Sequence, residues 1–321
     1  MGGWRVPVAA ALAIALLPLF VSPYVQDVVV RIAVYAIFAL SLEFIVGGVG
    51  LVSLGHAAFF GIGAYATVLV SGEAGARLAL VLIVSVASAA AYALFVGALS
   101  LRTRGVYFIM VTLAFAQMAY FVFHDTKVGG GSDGIFLSVK PVLRIAGATW
   151  LDLGARLSFY YAVLAALVAT YAVLALLLAS RFGHALAGIR VNEQRMRAAG
   201  FSSYFYKLAA FVIAGALAGL AGALLAIKDG AVNPELLAWQ ESGAVLLMLI
   251  LGGVGSLRGA VIGAIAFTLL KELYQSEEIV GPLASHWQLT LGLTIIAFVA
   301  LLPKGLIGLG ARLGFVRHGR G

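Results

Sequence analysis

The sequence predicts an all-α protein that crosses a membrane many times. Hydrophobic residues make up 63% of its 321 residues and charged residues 11%, against about 45–50% and about 25% in soluble domains. The apolar residues fall into runs of roughly 20, the length of helix that crosses a bilayer. Because a soluble fold cannot bury so much apolar surface, we expect a polytopic membrane protein of about ten helices, or eight to ten if marginal runs are discounted.

The expected spans follow these apolar runs in order. They cover residues 6–23, 28–48, 51–70, 78–100, 105–123, 157–179, 207–227, 242–257, 259–272 and 287–303. The first has Arg5 before its apolar stretch, like a signal peptide, but it continues to Ser22 and Pro23 without a small-residue cleavage site. We therefore expect it to be retained as a helix. For the Gly-rich hairpins 28–70 and 242–272, the sequence leaves open a full crossing or a dip into the membrane.

The distribution of Lys and Arg predicts the orientation, because cytoplasmic loops carry an excess of both. With the N-terminus inside, 13 of the 21 basic residues lie on the inner side together with one acid, Glu193. The outer side then has eight basic and eleven acidic residues. We therefore expect both termini in the cytoplasm. Basic residues scattered between apolar runs also exclude a nucleic-acid-binding face as the reason for the net charge of +8.

The chain forms one expected transmembrane domain over residues 1–321, since no low-complexity linker or change of composition divides it. Three connections exceed a tight turn. They are an outer loop at 124–156, an inner loop at 180–206 and an acidic outer segment at 228–241.

One Gly-rich motif occurs twice. GGVG at 47–50 precedes SLG at 53–55, and GGVG at 252–255 precedes SL at 256–257. In the expected topology each copy is the inner turn of a hairpin, which predicts two halves related as a parallel repeat, a common construction in transporters. The alternative is chance recurrence, because small residues let membrane helices pack closely. The matching topology makes us favour the repeat.

Motifs for enzymatic chemistry are missing. The sequence has no G-x-x-x-x-G-K-[ST], so this chain does not hold ATP phosphates in a P-loop. It has no cysteine, and its five histidines lie in five separate segments, which is poor spacing for a metal site. As an alternative, Ser53 and His56 would form the nucleophilic pair of an intramembrane hydrolase, but we expect Ser53 to cap a helix and His56 to lie at a polar boundary. We expect no catalytic residue, metal or cofactor in this chain.

Polar residues inside the spans are the candidates for a transport pathway, because placing them in lipid is costly. Glu43 is the clearest case, and it follows Ala33, Ala36 and Ala39 on a face of small residues that should pack against other helices. We favour a structural hydrogen-bonding role for it over a role in transport. The remaining candidates are Ser53, His56, Thr112, Gln117 and Ser242. They carry less weight where Ser and Thr bond back to their own helix.

A stripe of glycines marks a helix-packing surface. Gly215, Gly219 and Gly222 recur about one helical turn apart. Because such a stripe lets two membrane helices approach closely, we assign it to packing, and it carries no information on substrate.

The inner loop from Ser180 to Gly200 has the most informative pattern. Phe182, Leu186 and Ile189 form an apolar stripe. Arg190, Glu193 and Arg197 lie three and four residues apart, so they share the opposite face and can pair. Gly200 is placed to end a short helix. Either this helix lies on anionic lipid, or it is presented to a soluble partner such as a separate ATPase. The residues that we expect to carry the contact are Arg181, Gly183, Arg190, Asn192, Glu193, Arg197 and Gly200.

A series of segments spans roughly residues 40–265 in order. The segments are VSLGHAAFFGIGAY at 52–65, LRTRGVYF at 101–108, VTLAF at 111–115, GGSDG at 130–134, the loop at 180–200, the segment 210–224 and LGGVGS at 251–256. Together they resemble the LivM type of permease subunit from ABC importers of branched-chain amino acids. One departure is Arg195-Met196, where that family usually has two small residues, and it leaves the ATPase-contacting face of the loop less defined.

The resemblance implies a division of labour in a prokaryotic plasma membrane. An external solute-binding protein would deliver the substrate to this chain and a second, LivH-like permease subunit. Two cytosolic ABC ATPase subunits, which use ATP and Mg²⁺, would dock on the 180–206 loops. Permeases for urea, short amides or other amino acids are alternatives within this class, and an ion-coupled secondary transporter is the alternative outside it.

Overall fold

The computed structural model describes residues 18, 21–72, 77–145, 148–302 and 305–312. Most of the expected span 6–23 therefore lies outside the described residues. The helices of the described chain are α1 (Pro23–Val49), α2 (His56–Ser71), α3 (Leu78–Ser100), α4 (Val106–Asp125), α5 (Arg156–Ala179), α6 (Arg181–Val191), α7 (Glu193–Ala198), α8 (Ser203–Asp229), α9 (Trp239–Gly252), α10 (Leu257–Gln275), α11 (Glu277–Val280), α12 (Trp287–Leu301) and α13 (Gly305–Arg312).

Short strands join the two loops that the sequence places outside. β1 (Ile135–Phe136) pairs antiparallel with β4 (Ala231–Val232), which follows α8. β2 (Val142–Ile145) and β3 (Ala148–Asp152) form a hairpin within the longer loop. The shorter 3₁₀ segments are Lys127–Gly129, Gly131–Asp133, Pro234–Leu237 and Gly281–His286. The loops are thus held together by backbone pairing on one side of the helices.

The helical, membrane-spanning fold class is confirmed. Among the described residues, six candidate spans are long and apolar enough to cross a bilayer, namely α1, α3, α4, α5, α8 and a segment that contains α12. The helices α9 and α10 pass the same test together but are bent by 113° at their junction, which makes seven if the pair is one span. The expected count of about ten is not confirmed, and the side of the termini stays a prediction.

The difference in span number has a physical origin in the Gly-rich turns. The expected span 51–70 corresponds to α2, which has 16 residues because the chain is still turning up to Gly55. The expected spans 242–257 and 259–272 are α9 and α10, whose junction leaves 14 residues in α9. An apolar run therefore overstates the length of a helix when glycines interrupt it.

The helices α1 and α8 form the centre of the protein. In α1, 78% of the most apolar window is buried, and in α8 the fraction is 72%, compared with 28% or less in the other candidate spans. A helix that is apolar all round and enclosed by protein is a core helix. The outer helices instead leave large apolar side chains such as Leu176 and Ile296 exposed, as a lipid-facing or subunit-facing surface requires.

Glycines of α8 bring three helices into close contact. Gly215 and Gly219 face alanine side chains of α3, and a Cβ added to either would overlap a methyl group. Gly222 faces α2, where a Cβ would overlap the carbonyl oxygen of Phe60. From the other side, a Cβ on Gly63 of α2 would overlap the backbone of Gly219. The backbones of α2 and α8 are therefore in direct contact, without side chains between them.

The two Gly-rich turns lie side by side. Gly50 ends α1 with a φ of 80°, and Gly253 and Gly255 connect α9 to α10 with φ values of 112° and 99°. A Cβ added to Gly47 would lie 3.3 Å from the Cα atom of Gly255, so the turns approach at backbone distance. The parallel repeat itself stays a prediction.

We predict that Gly222→Ala destabilises the protein by about 1–3 kcal/mol, because the added methyl group must push the α2 backbone away. The matched control is Gly243→Ala in α9, where nothing lies within 4 Å of an added Cβ. Thermal unfolding of the detergent-solubilised chain measures both variants. Equal midpoints for the two alanine variants would contradict the close contact between α2 and α8.

Candidate functional site

A buried polar cluster lies where α1, α2 and α9 meet. The Nε2 atom of His56 is 2.8 Å from Oγ of Ser41, and that hydroxyl donates to the carbonyl oxygen of Phe38 at 2.7 Å. Since the Ser41 proton is already used, Ser41 must accept from Nε2–H, which leaves Nδ1 of His56 as an unprotonated acceptor. The Nδ1 atom is buried and has no hydrogen-bond partner among the described residues. His56 is thus fully buried, rather than at the polar boundary that we expected.

The pathway candidates Ser53 and Ser242 flank His56 but do not touch its ring. Ser242 of α9 accepts from the backbone N–H of Ala57 at 2.8 Å, which links the two hairpins. Ser53 accepts from the N–H of Gly55 at 3.2 Å, so it stabilises the turn before α2 and does not cap the helix. Both serines are fully buried. A Ser53–His56 nucleophilic pair therefore does not form, because the imidazole binds Ser41 instead.

The candidates on α4 have different surroundings. Thr112 is fully buried and donates to the carbonyl of Ile109 at 2.9 Å, which is a bond within its own helix. Its backbone carbonyl lies against Gly55, where a Cβ would overlap it. Gln117 is partly buried one and a half turns further along. Thr112 thus packs beside the Ser53 turn, whereas Gln117 does not join the cluster around His56.

Glu43 lies near the C-terminal end of α1 and makes a separate contact. Its Oε1 atom accepts from the backbone N–H of Gly255 at 2.7 Å, and its side chain is 3% exposed. A Cβ added to Gly47 would overlap Oε1 of Glu43, so the glycine leaves room for the carboxylate. Glu43 therefore joins the end of α1 to the turn between α9 and α10.

The inner loop forms α6 and α7 and continues this contact. Arg190 of α6 donates from Nη1 to the carbonyl oxygen of Gly47, so a guanidinium binds the C-terminal end of α1. Cations are favourable there because the last carbonyls of a helix carry partial negative charge. A cavity of about 430 Å³ lies between these groups, bounded by Glu43, Gly183, Arg190 and Ser256.

Local sequence explains why α6 begins and ends where it does. Ser180 accepts from the N–H of Gly183 and caps α6, and Asn192 accepts from the N–H of Arg195 and caps α7. A Cβ on Gly183 would overlap the carbonyls at the end of α5, so the glycine allows the sharp corner between the two helices. Gly200 follows α7 with a φ of 88°. Two short helices therefore stand where the sequence predicted one.

The apolar stripe of α6 faces inward. Leu186 and Ile189 are buried, and Phe182 stacks on Tyr206 of α8 with ring centroids 5.6 Å apart. The side chains of Arg181 and Arg195 are exposed. Because the apolar face is already covered by this chain, α6 presents a basic polar face outward rather than an apolar face to lipid.

Glu193 holds α7 against α8. It accepts from Lys207 of α8 at 2.8 Å and from Arg197 one turn further along α7. Burial acts to raise the pKa of Glu193, but the Lys207 and Arg197 cations outweigh it and hold that pKa below its usual range. Arg190, which the sequence placed on the same face, turns away to Gly47 instead.

A second cavity, of about 340 Å³, lies at the opposite end of α1. Its lining combines charged, aromatic and apolar side chains: Arg31, Tyr35, Leu225, Asp229, Gln240, Glu241, Ala244, Met248, Phe267, Thr268, Lys271, Glu272, Trp287 and Gln288. The sequence reasoning missed this site, as it missed Ser41. The available signal was a Lys271-Glu272 pair directly after the apolar stretch of α10.

Metal ligation has no support in the described part of the chain, where no group of three or more His, Asp or Glu side chains could hold an ion. The histidines His56, His124, His184 and His286 lie in α2, α4, α6 and the segment before α12. Each binds neighbouring protein atoms, as Nδ1 of His184 does at 2.7 Å from the carbonyl oxygen of Ser180.

We predict that the Glu193 ion pairs order α7 only while the carboxylate is charged. Since the pKa of Glu193 is lowered by folding, the stabilisation is present at neutral pH and is lost as the pH falls through the lowered pKa. Glu193→Gln should therefore speed amide hydrogen exchange in residues 193–206 about 2–5-fold at pH 7, and this difference should disappear as the pH is lowered through the depressed pKa of Glu193.

The matched control for this exchange measurement is Glu277→Gln, which removes an exposed acid from α11. It should leave exchange in residues 193–206 unchanged across the same pH range. An acceleration by Glu193→Gln that keeps the same size throughout the acid titration would contradict a charge-dependent contact.

Comparisons with known proteins bear on this arrangement of helices, turns and cavities. No solved structure matches the chain. The chain is 32% identical to the high-affinity branched-chain amino acid transport system permease protein LivM of Escherichia coli K12, over 90% of this chain and 71% of that protein. It is 31% identical to the protein of the same name from Salmonella typhimurium, with the same coverage. The family model described as "branched-chain amino acid transport system / permease component" matches residues 24–299. The chain therefore belongs to this family of membrane permeases.

Proposed function

We propose that this chain is the membrane-spanning permease subunit of an ATP-driven importer of branched-chain amino acids. Its family and its LivM relatives support the transport class and the substrate. The observation that carries the ATP-driven mechanism is the contact of Arg190 in α6 with the end of α1. Through it, an element on the surface is attached to α1, the most deeply buried of the candidate spans among the described residues.

The proposed assembly contains four kinds of partner. A second, LivH-like permease subunit covers the apolar faces of the outer helices, and two cytosolic ABC ATPase subunits bind the α6–α7 segments. These subunits hold ATP and Mg²⁺, since the sequence of this chain has no P-loop. An external solute-binding protein delivers the substrate at the side of the 124–156 loop, and lipid covers the remaining apolar surface.

We infer that force from an ATPase subunit is transmitted through this protein along one series of contacts. An ATPase subunit moves α6 as a rigid body, because the buried stripe of α6 fixes it to this chain. Arg190 transmits the displacement to Gly47, and Glu43 connects the same end of α1 to Gly255. The junction of α9 and α10 lies directly beside this contact, so it is the element that the displacement reaches first.

The orientation proposed for this assembly places α6, α7 and both termini in the cytoplasm. It rests on the excess of Lys and Arg on that side. The strands and the 124–156 loop then lie outside, where a solute-binding protein docks.

We predict that Arg190→Glu uncouples the importer. The carboxylate would face the Gly47 carbonyl and the C-terminal end of α1, where negative charge is unfavourable. In proteoliposomes that contain all subunits, leucine uptake should fall roughly tenfold, which is about 1.4 kcal/mol, while ATP hydrolysis continues. Glu193→Arg, which breaks the contact with Lys207, should act in the same direction.

Two controls accompany the uncoupling measurement. Arg104→Glu changes an exposed charge on the same expected side, outside the α6–α7 segment, and should leave uptake unchanged. Arg190→Lys keeps a donor and should retain part of the uptake. Normal uptake by Arg190→Glu would place the coupling contact elsewhere, and uptake driven by an ion gradient without ATP would overturn the importer proposal.

We predict that a cysteine at Ser132 is labelled from outside the cell. The chain has no native cysteine, so a single thiol gives an unambiguous signal. Ser132 is exposed in the outer loop, and Gln194 is exposed in α7. An impermeant maleimide should label Ser132→Cys in intact cells and Gln194→Cys after the membrane is opened, and the reverse pattern would overturn the orientation.

A further inference from the structure

The cavity of about 340 Å³ lies at the end of α1 remote from the Arg190 contact. Tyr35 in its wall and Gly47 at the other end of α1 are separated by about 18 Å along the helix axis. The volume is at the lower end of the range for small-molecule sites, which starts at about 300 Å³. The cavity therefore has room for one small metabolite.

Some of the charges around this cavity neutralise each other. Arg31 lies 3.3 Å from Oε2 of Glu272, and the hydroxyl of Tyr24 donates to Oε1 of the same carboxylate at 2.7 Å. Lys228 lies 2.9 Å from Asp229 at the rim. These groups form a charged border whose members already have partners within the chain.

Two opposite charges are arranged differently. Glu241, in the first turn of α9, lines the cavity together with Tyr35. The ammonium group of Lys271 lies 5.5 Å above the ring of Trp287. Both side chains line the same cavity, yet among the ion pairs of the described residues none joins Glu241 directly to Lys271. A carboxylate and an ammonium group thus lie across a gap in one cavity.

The remaining lining is apolar. Leu225, Ala244, Met248 and Phe267 come from α8, α9 and α10, and Met248 and Phe267 are buried. They provide a surface that stabilises an aliphatic group by excluding water from it.

We propose that this cavity binds a free aliphatic α-amino acid as a zwitterion, in an inference that rests on the proposed transport function. The ammonium group of the ligand binds Glu241, and its carboxylate binds Lys271. Its side chain lies on the apolar surface around Met248 and Phe267. A molecule with both charges satisfies both side chains, whereas an amine or a carboxylic acid alone leaves one of them without a partner.

A cysteine protection assay tests this site without depending on transport. Gln288 is exposed and lines the cavity, and Ser285 is exposed three residues earlier and does not line it. The assembled importer is reconstituted in nanodiscs without phosphatidylethanolamine, so that no zwitterionic amine headgroup competes. Leucine should slow maleimide labelling of Gln288→Cys but not of Ser285→Cys, and isopentylamine and 4-methylpentanoate should not protect at the same concentration.

Charge-removing variants then identify the side chains that hold the ligand. Glu241→Gln and Lys271→Met, each combined with Gln288→Cys, should raise the half-protecting leucine concentration about tenfold or more. The matched controls Glu235→Gln and Lys127→Met remove exposed charges outside the cavity and should leave it unchanged.

The outcomes separate this inference from the proposed function. ATP-driven leucine uptake without protection at Gln288→Cys, or with protection unchanged in both charge variants, would overturn the zwitterion site and leave the importer intact. Equal protection by leucine and by isopentylamine would also overturn it, because recognition would not need the carboxylate. Absence of ATP-driven uptake would overturn the proposed function, and protection at Gln288→Cys would still decide the site.

Discussion

The contact between the backbones of α2 and α8 is the constraint on which the rest of the structure depends. In a membrane interior the helices gain little from apolar burial against each other, so close van der Waals contact must hold them together. Gly63 and Gly222 provide it, because neither has a Cβ to separate the two backbones. The short helix α2, which begins at His56, is thereby fixed beside a central span, and the turn before it, with Ser53, is fixed as well.

Polar groups in this fold are satisfied across elements that are distant in sequence. Ser242 binds the N–H of Ala57, and Glu43 binds the N–H of Gly255. In both cases a side-chain oxygen of one hairpin accepts a hydrogen bond from a backbone N–H of the other. Lipid offers no alternative partner for these donors, so each bond fixes the relative position of the hairpins.

Features governed by neighbouring residues could be predicted from the sequence, and features governed by distant ones could not. The stripe of Phe182, Leu186 and Ile189 predicted a helix with one apolar face because its spacing is local. The contact of Arg190 with Gly47 joins residues 143 positions apart, and helical spacing favoured Glu193 as its neighbour.

The polar residues were predicted unevenly for the same reason. Glu43 could be assigned a hydrogen-bonding role because of its small-residue face, but its partner Gly255 lies in another hairpin. The cavity of Glu241 and Lys271 is assembled from five helices, and no single segment of sequence contains enough of Arg31, Glu241 and Lys271 to suggest it.

The two cavities lie at opposite ends of α1, and the part of α1 between them is closed. Residues 36–43 are all buried, and Phe38 stacks on the imidazole of His56 with ring centroids 5.5 Å apart. A solute in the cavity of Glu241 and Lys271 therefore has no opening along this face of α1 to the cavity beside Arg190. The Glu43–Gly255 bond joins α1 to the turn between α9 and α10 at the end of α1 near Arg190. A coupling element that acts on this end of α1 therefore acts on the helix whose buried part separates the two cavities.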